Sequence, residues 1–158
     1  MYLKTKCNFY LLIILLGGII SCNGNQEIQG LNYEGIIFHS KDYTPDLKTV
    51  SEMEINLNQF LKTTLSDSVW LNVDSNRRNQ LIFVVNNSSK YKRRYSGSLN
   101  AKTEKIIRIE FFLLECIPKG ESWKNQELKI HDGGECCWNL FYNTTTKTFF
   151  DFNINSNG

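Results

Sequence analysis

Apolar and polar positions change rhythm several times along the 158-residue chain. Residues 9–20 are almost unbroken apolar sequence, from Phe9-Tyr10-Leu11-Leu12-Ile13-Ile14-Leu15-Leu16 to Gly17-Gly18-Ile19-Ile20. A run of this length falls short of the roughly 20 residues that span a bilayer as a helix. Glu34-Gly35-Ile36-Ile37-Phe38-His39 then predicts a first strand. Leu47, Val50, Met53, Leu57, Phe60, Leu61 and Leu65 recur at helical spacing, with Glu52, Asn56, Asn58 and Lys62 mostly elsewhere. The pattern predicts an amphipathic helix over about 45–65. Thr44 is its expected cap, Pro45 suits a first helical position, and Asp46 suits the positive end of the dipole. Ser66-Asp67-Ser68 ends it.

The remainder reads as β-structure. Gln80 to Val85 is an apolar run bounded by Asn76 and Asn86-Asn87, which predicts a strand. Tyr91 to Ser98 and Glu127 to His131 alternate, and Lys105 to Cys116 is long and apolar. Asp132-Gly133-Gly134 signals a turn. Glu135 to Tyr142 and Thr148 to Ile154 pair across residues 143–147. Side chains alternate across a strand. Ile107, Ile109, Phe111 and Leu113 therefore share one face, opposite Ile106, Arg108, Glu110, Phe112 and Leu114. Cys136, Trp138, Leu140 and Tyr142 share another, opposite Cys137, Asn139 and Phe141. The second faces mix polar and aromatic groups, as a recognition surface would.

These elements predict an α+β fold: one N-terminal amphipathic helix packed on a curved antiparallel sheet, in the manner of a cystatin-like or NTF2-like roll. A plain open sheet with the helix on one face is the alternative. The expected organisation is a leader over 1–21, a flexible tether over 22–32 and a single domain over 33–158.

The leader has the order of an export signal. Lys4 and Lys6 precede the apolar run. Ile19-Ile20-Ser21-Cys22 then resembles the lipobox of bacterial lipoproteins. That resemblance implies cleavage before Cys22 and acylation of its sulfur. Several acyl chains hold a protein stably at a membrane. Asn23-Gly24-Asn25-Gln26-Glu27 is polar, as a tether is. It lacks an Asp after the cysteine and lacks an acidic run, which leans towards a lipid anchor in the outer membrane facing the periplasm.

Composition sharpens the picture in two ways. Apolar residues form 41% of the chain, enough for a packed core. With Lys4 and Lys6 set aside, 16 basic residues balance 16 acidic ones. Nucleic-acid binding needs an excess of positive charge, so no nucleic-acid partner is expected.

Three cysteines follow Cys22. An oxidising periplasm permits Cys116 to bridge Cys136 or Cys137, leaving one free thiol. Alternatively, all three are small buried hydrophobes. His131, Asp132, Cys136 and Cys137 match no zinc-ligand spacing, so neither metal nor cofactor is expected. Glu110 with Glu115 or Asp132 lacks the context of a carboxylate pair for sugar hydrolysis. A salt bridge to Arg108 or a solvated rim fits better. Lys90, Tyr91, Lys92, Arg93, Arg94 and Tyr95 form the densest charged cluster. They read either as a binding patch for an acidic partner or as a solvent-facing edge strand that resists aggregation. As a patch, charge reversal at Arg93 and Arg94 should weaken capture at little cost in melting temperature.

The order of Tyr91-Lys92-Arg93-Arg94-Tyr95-Ser96-Gly97, Lys105-Ile106-Ile107, Trp123-Lys124, Asp132-Gly133-Gly134 and Trp138-Asn139, with Asn155, resembles a group of small exported Bacteroidetes proteins. The resemblance implies a taxon and a shared fold, and no activity. Cys136-Cys137 departs from it. The expected function is a non-catalytic, membrane-anchored module of the cell envelope. It would bind a protein, peptide or glycan, an immunity-type inhibitor being one version. A hydrolytic enzyme acting on envelope material and a structural envelope component are the alternatives.

Overall fold

The computed structural model describes residues 24–64, 73–130 and 133–155. The leader, the lipobox with Cys22, Leu65, the helix stop at 66–68, and His131 with Asp132 lie outside those residues.

The described chain is α+β, with two helices and a six-stranded sheet in sequential order. Strands β1 (Gln26–Gln29) and β2 (Glu34–Phe38) form an antiparallel hairpin. Helices α1 (Leu47–Thr64) and α2 (Ser75–Asn86) follow. Strands β3 (Lys92–Leu99), β4 (Lys105–Phe112), β5 (Cys137–Asn143) and β6 (Thr148–Ile154) complete an antiparallel meander. β2 and β3 pair in parallel, with Ile37 opposite Tyr95. The sheet is therefore mixed, which corrects the antiparallel expectation. Parallel neighbours need a long crossover, and the two helices between β2 and β3 are that crossover.

Helix α1 forms where its periodicity predicts. Val50, Met53, Leu57 and Leu61 are buried against the sheet. Its cap is displaced from the expected position: Asp46 Oδ1 accepts from Thr49 N at 2.7 Å, and Pro45 stands outside the helix. Thr44 Oγ1 instead accepts from Ser40 N at 3.0 Å.

Helix α2 replaces the strand expected over Gln80 to Val85. A short apolar run does not reveal its own period. The start signal lay in Asp74, whose side chain accepts from Arg77 N at 3.0 Å. Leu81 and Val84, one helical turn apart, enter the core, and Ile82 and Phe83 stay exposed. Arg77 Nη2 also donates to Ile154 O at 2.7 Å, pinning the helix to the end of β6.

Two further corrections concern loops. β1 lies inside 22–32, where a tether was expected, because Ile28 is buried in the main core opposite Gly35. Residues 127–131 form no strand among the described positions. Leu128 N instead closes a turn on Asn125 O at 3.2 Å. The alternation there arises because Leu128 and Ile130 both pack towards the sheet.

The sheet has two unlike faces. The inner face carries Ile28, Ile37, Tyr91, Tyr95, Ile107, Ile109, Phe111, Trp138, Leu140 and Tyr142, covered by α1 and α2. The face assignments for β4 and β5 hold along both strands. On the outer face Ile36, Phe38, Phe112 and Cys137 are covered by Trp123 and Leu128 of the 117–130 loop. Burying both sides of a strand in this way removes it from solvent and fixes its register. Gly97 on β3 is needed for close approach: a Cβ there would collide with the carbonyl oxygen of Tyr43.

Candidate functional site

The charged cluster at 90–95 does not form an exposed patch. β3 is a central strand, flanked by β2 and β4. Tyr91, Arg93, Arg94 and Tyr95 are buried, Lys92 is half-buried, and only Lys90 is exposed. Both sequence readings of the cluster, binding patch and aggregation-resistant edge, assumed a solvent-facing strand and are corrected by its central place.

Arg93 points to the inner face. Its Nη1 forms an ion pair with Glu54 of α1, both groups being buried. Tyr95 Oη donates to the other Glu54 oxygen at 2.8 Å. The Arg93 guanidinium also lies over the rings of Tyr33 and Phe111, 5.1 and 5.4 Å from their centroids. Burial raises the Glu54 pKa, and the Arg93 charge opposes the shift. Sequence reading missed Glu54. Its signal was a lone carboxylate at 54 within the stripe 50, 53, 57 and 61.

Arg94 points to the outer face and staples the 117–130 loop. Its Nη1 donates to Asn125 O, and its Nη2 donates to Leu128 O at 3.2 Å and to Glu110 Oε2 at 2.9 Å. Glu110 Oε1 meets Arg108 Nη2 at 3.0 Å, so the expected Arg108 pair is present. Glu110 thus divides its two oxygens between two guanidiniums.

Around this triad lies a pocket of about 220 Å³ at the seam between the covered and open halves of the outer face. Arg94, Glu110, Phe112 and Cys137 line its covered side. Arg108, Asn139, Lys129 of the covering loop and Asn155 complete the lining. Beyond Asn139 on the same strand face, Phe141 stacks on Phe150 of β6 at 5.6 Å. Phe150 is exposed.

The cysteines divide as one of the expected alternatives has it. Cys116 bridges Cys136, with Cα atoms 5.7 Å apart, and Cys137 is free and buried. Neighbouring side chains leave a strand on opposite sides, so Cys137 faces the pocket instead. Asn155 Nδ2 donates to its sulfur at 2.7 Å and to Ile130 O at 2.8 Å. Burial pushes the Cys137 thiol up to about 11, which favours the protonated thiol at neutral pH. Glu115 is exposed, beside the disulfide, and Glu110 is occupied by arginines. Glu110 and Glu115 are therefore not brought together as a carboxylate pair. No family model, curated protein or solved structure matches the chain.

Proposed function

We propose that this chain is a lipid-anchored, non-catalytic binding module of the cell envelope, in the outer membrane facing the periplasm. The observation that carries the binding reading is the asymmetry of the sheet. Helices cover most of one face, and half of the other presents Arg108, Asn139, Phe141 and Phe150 to solvent or half-exposed. One helix-bearing face and one open face is the arrangement expected of a cystatin-like or NTF2-like roll. Aromatic residues and arginine are enriched at protein interfaces relative to the rest of the surface. An immunity-type inhibitor that blocks a protein or peptide partner is the specific form of this reading.

The anchor rests on the lipobox at Ile19-Ile20-Ser21-Cys22. The sheet begins at Gln26, four residues after that cysteine. At the full reach of an extended chain, roughly 3.5 Å per residue, an anchored domain would stand within about 14 Å of its attachment point.

Two measurements test the proposal. Metabolic labelling with an alkyne palmitate should mark the wild type and spare Cys22→Ala; equal labelling rejects the anchor. A photocrosslinking residue in place of Phe150 should yield discrete adducts in native cells, and the same residue at Lys102, in the β3–β4 turn, should not. Equal yields at the two positions reject the open face as the contact surface.

A further inference from the structure

We propose that the seam pocket is a carboxylate-binding site, and that its occupant is the C-terminal carboxylate of a peptide whose last residue is aromatic. The inference deepens the binding-module reading by naming the chemistry of the partner.

Charge carries the first step. Among the described lining residues, Arg94, Arg108 and Lys129 stand against one carboxylate, Glu110. Glu110 spends one oxygen on each arginine, at 2.9 and 3.0 Å. Arg94 is consumed further by the carbonyls of Asn125 and Leu128. Arg108 has no such additional anchors to the loop. Its side chain is 48% exposed at the mouth of the pocket, so it faces both its internal partner and the solvent. A second carboxylate at this position would complete two-to-two pairing of guanidinium and carboxylate. Guanidinium forks match carboxylates in geometry as well as charge.

Shape carries the second step. A pocket of about 220 Å³ is too small for a protein segment and large enough for a terminal carboxylate with its backbone. The Asn139 side chain supplies an amide at the pocket wall. Phe141, two residues along β5, lies on the same face, and its stack with Phe150 forms an apolar shelf beside the charged mouth. A carboxylate held at Arg108 places the adjoining side chain over that shelf, where an aromatic ring stacks favourably.

The test is an NMR titration of the full chain with N-acetyl-glycyl-phenylalanine, as the free acid and as the terminal amide. The free acid should shift the backbone resonances of Asn139 and Phe141 and bind about tenfold more tightly than the amide, the usual strength of a charge-assisted contact. Arg108→Gln should bring the free acid down to the affinity of the amide. Phe150→Ser should weaken both ligands and leave their ratio unchanged. Equal binding of acid and amide, or an unaltered affinity in Arg108→Gln, overturns the site. Acetate binding as tightly as the peptide acid overturns the shelf. Each variant alters an exposed side chain, and its melting temperature serves as the folding control. Failure here leaves the crosslinking result at Phe150 standing, so the two proposals can fall separately.

Discussion

Arg93 and Arg94 are adjacent on β3, yet each meets its carboxylate on an opposite side of the sheet, Glu54 on α1 and Glu110 on β4. Two successive cations in sequence become two separate ties in space. One locks the main helix to the sheet. The other locks the 117–130 loop to the opposite face.

The inner tie gives a prediction about stability. Glu54→Ala leaves a buried guanidinium without its counter-charge and also strips Tyr95 Oη of its acceptor. Breaking one half of a buried pair costs about 3–5 kcal/mol, whereas replacing both halves by apolar groups is often neutral. Urea denaturation should show that loss for Glu54→Ala and a much smaller one for Glu54→Leu combined with Arg93→Met. Equal losses would show that packing, and not charge, dominates this contact.

Position on the strand reverses what the sequence suggests for the basic cluster. Arg94→Glu sets a buried anion beside Glu110, and thermal melting should fall sharply or folding fail. Lys90→Glu alters an exposed side chain in the turn before β3, and its effect should stay within about 0.5 kcal/mol. Matching melting curves for the two variants would contradict the central placement of β3.

The Cys116–Cys136 bridge joins the end of β4 to the start of β5 across a sequence separation of 20. Closing a loop of that size in the unfolded chain stabilises the native state by about 3 kcal/mol. Paired Cys116→Ser and Cys136→Ser substitutions should lower the unfolding free energy by that order in chemical denaturation. The 117–130 cover should also exchange its amide hydrogens faster. No change in either would mean that Arg94 and the packing of Trp123 and Leu128 hold the loop without the bridge.

Cys137 predicts a pH dependence with a definite sign. Burial raises its thiol from about 9 to about 11, so the folded state holds this proton more tightly than the unfolded one. The stability it contributes is complete below pH 9 and is lost as pH rises through 11. The denaturation midpoint should fall over that window in the wild type and fall less in Cys137→Ala. Peptide mapping after iodoacetamide treatment at pH 8 should find Cys137 unmodified in the folded protein and modified after denaturation. Ready labelling of the folded chain would refute the buried assignment.

The legible parts of the fold were those with a strong period and a one-sided environment. Helix α1 announced itself through seven apolar positions on one stripe. The alternation on β4 and β5 assigned both faces correctly. Three failures have physical causes. Leu81-Ile82-Phe83-Val84-Val85 is too short and too uniformly apolar to distinguish helix from strand, and the capping Asp74 outweighed the β-branched residues. β1 consists of Gln26-Glu27-Ile28-Gln29, where one buried isoleucine among polar residues gives almost no pattern. The parallel pairing of β2 with β3 depends on where the crossover travels, which no local signal encodes. The site was partly visible: Glu110 with Arg108 was expected. Arg94 was noticed for its charge and misplaced at the surface, because burial of a cation requires partners distant in sequence.

The parallel seam between β2 and β3 also sets an order of events during biogenesis. A chain emerging from its N-terminus releases β1 and β2 first, and both helices must follow before β3 arrives. Through that interval Ile36 and Ile37 are paired on the β1 side alone, and Phe38 lies beyond the β1 register. An apolar strand with one open flank is a template for wrong pairing with other chains. Among the later strands, β3 with β4 and β5 with β6 are joined by short turns, while β4 waits for the 117–130 loop to pass before β5 arrives. The longest wait for a partner therefore falls on the first hairpin and lasts until Lys92–Leu99 zips alongside it.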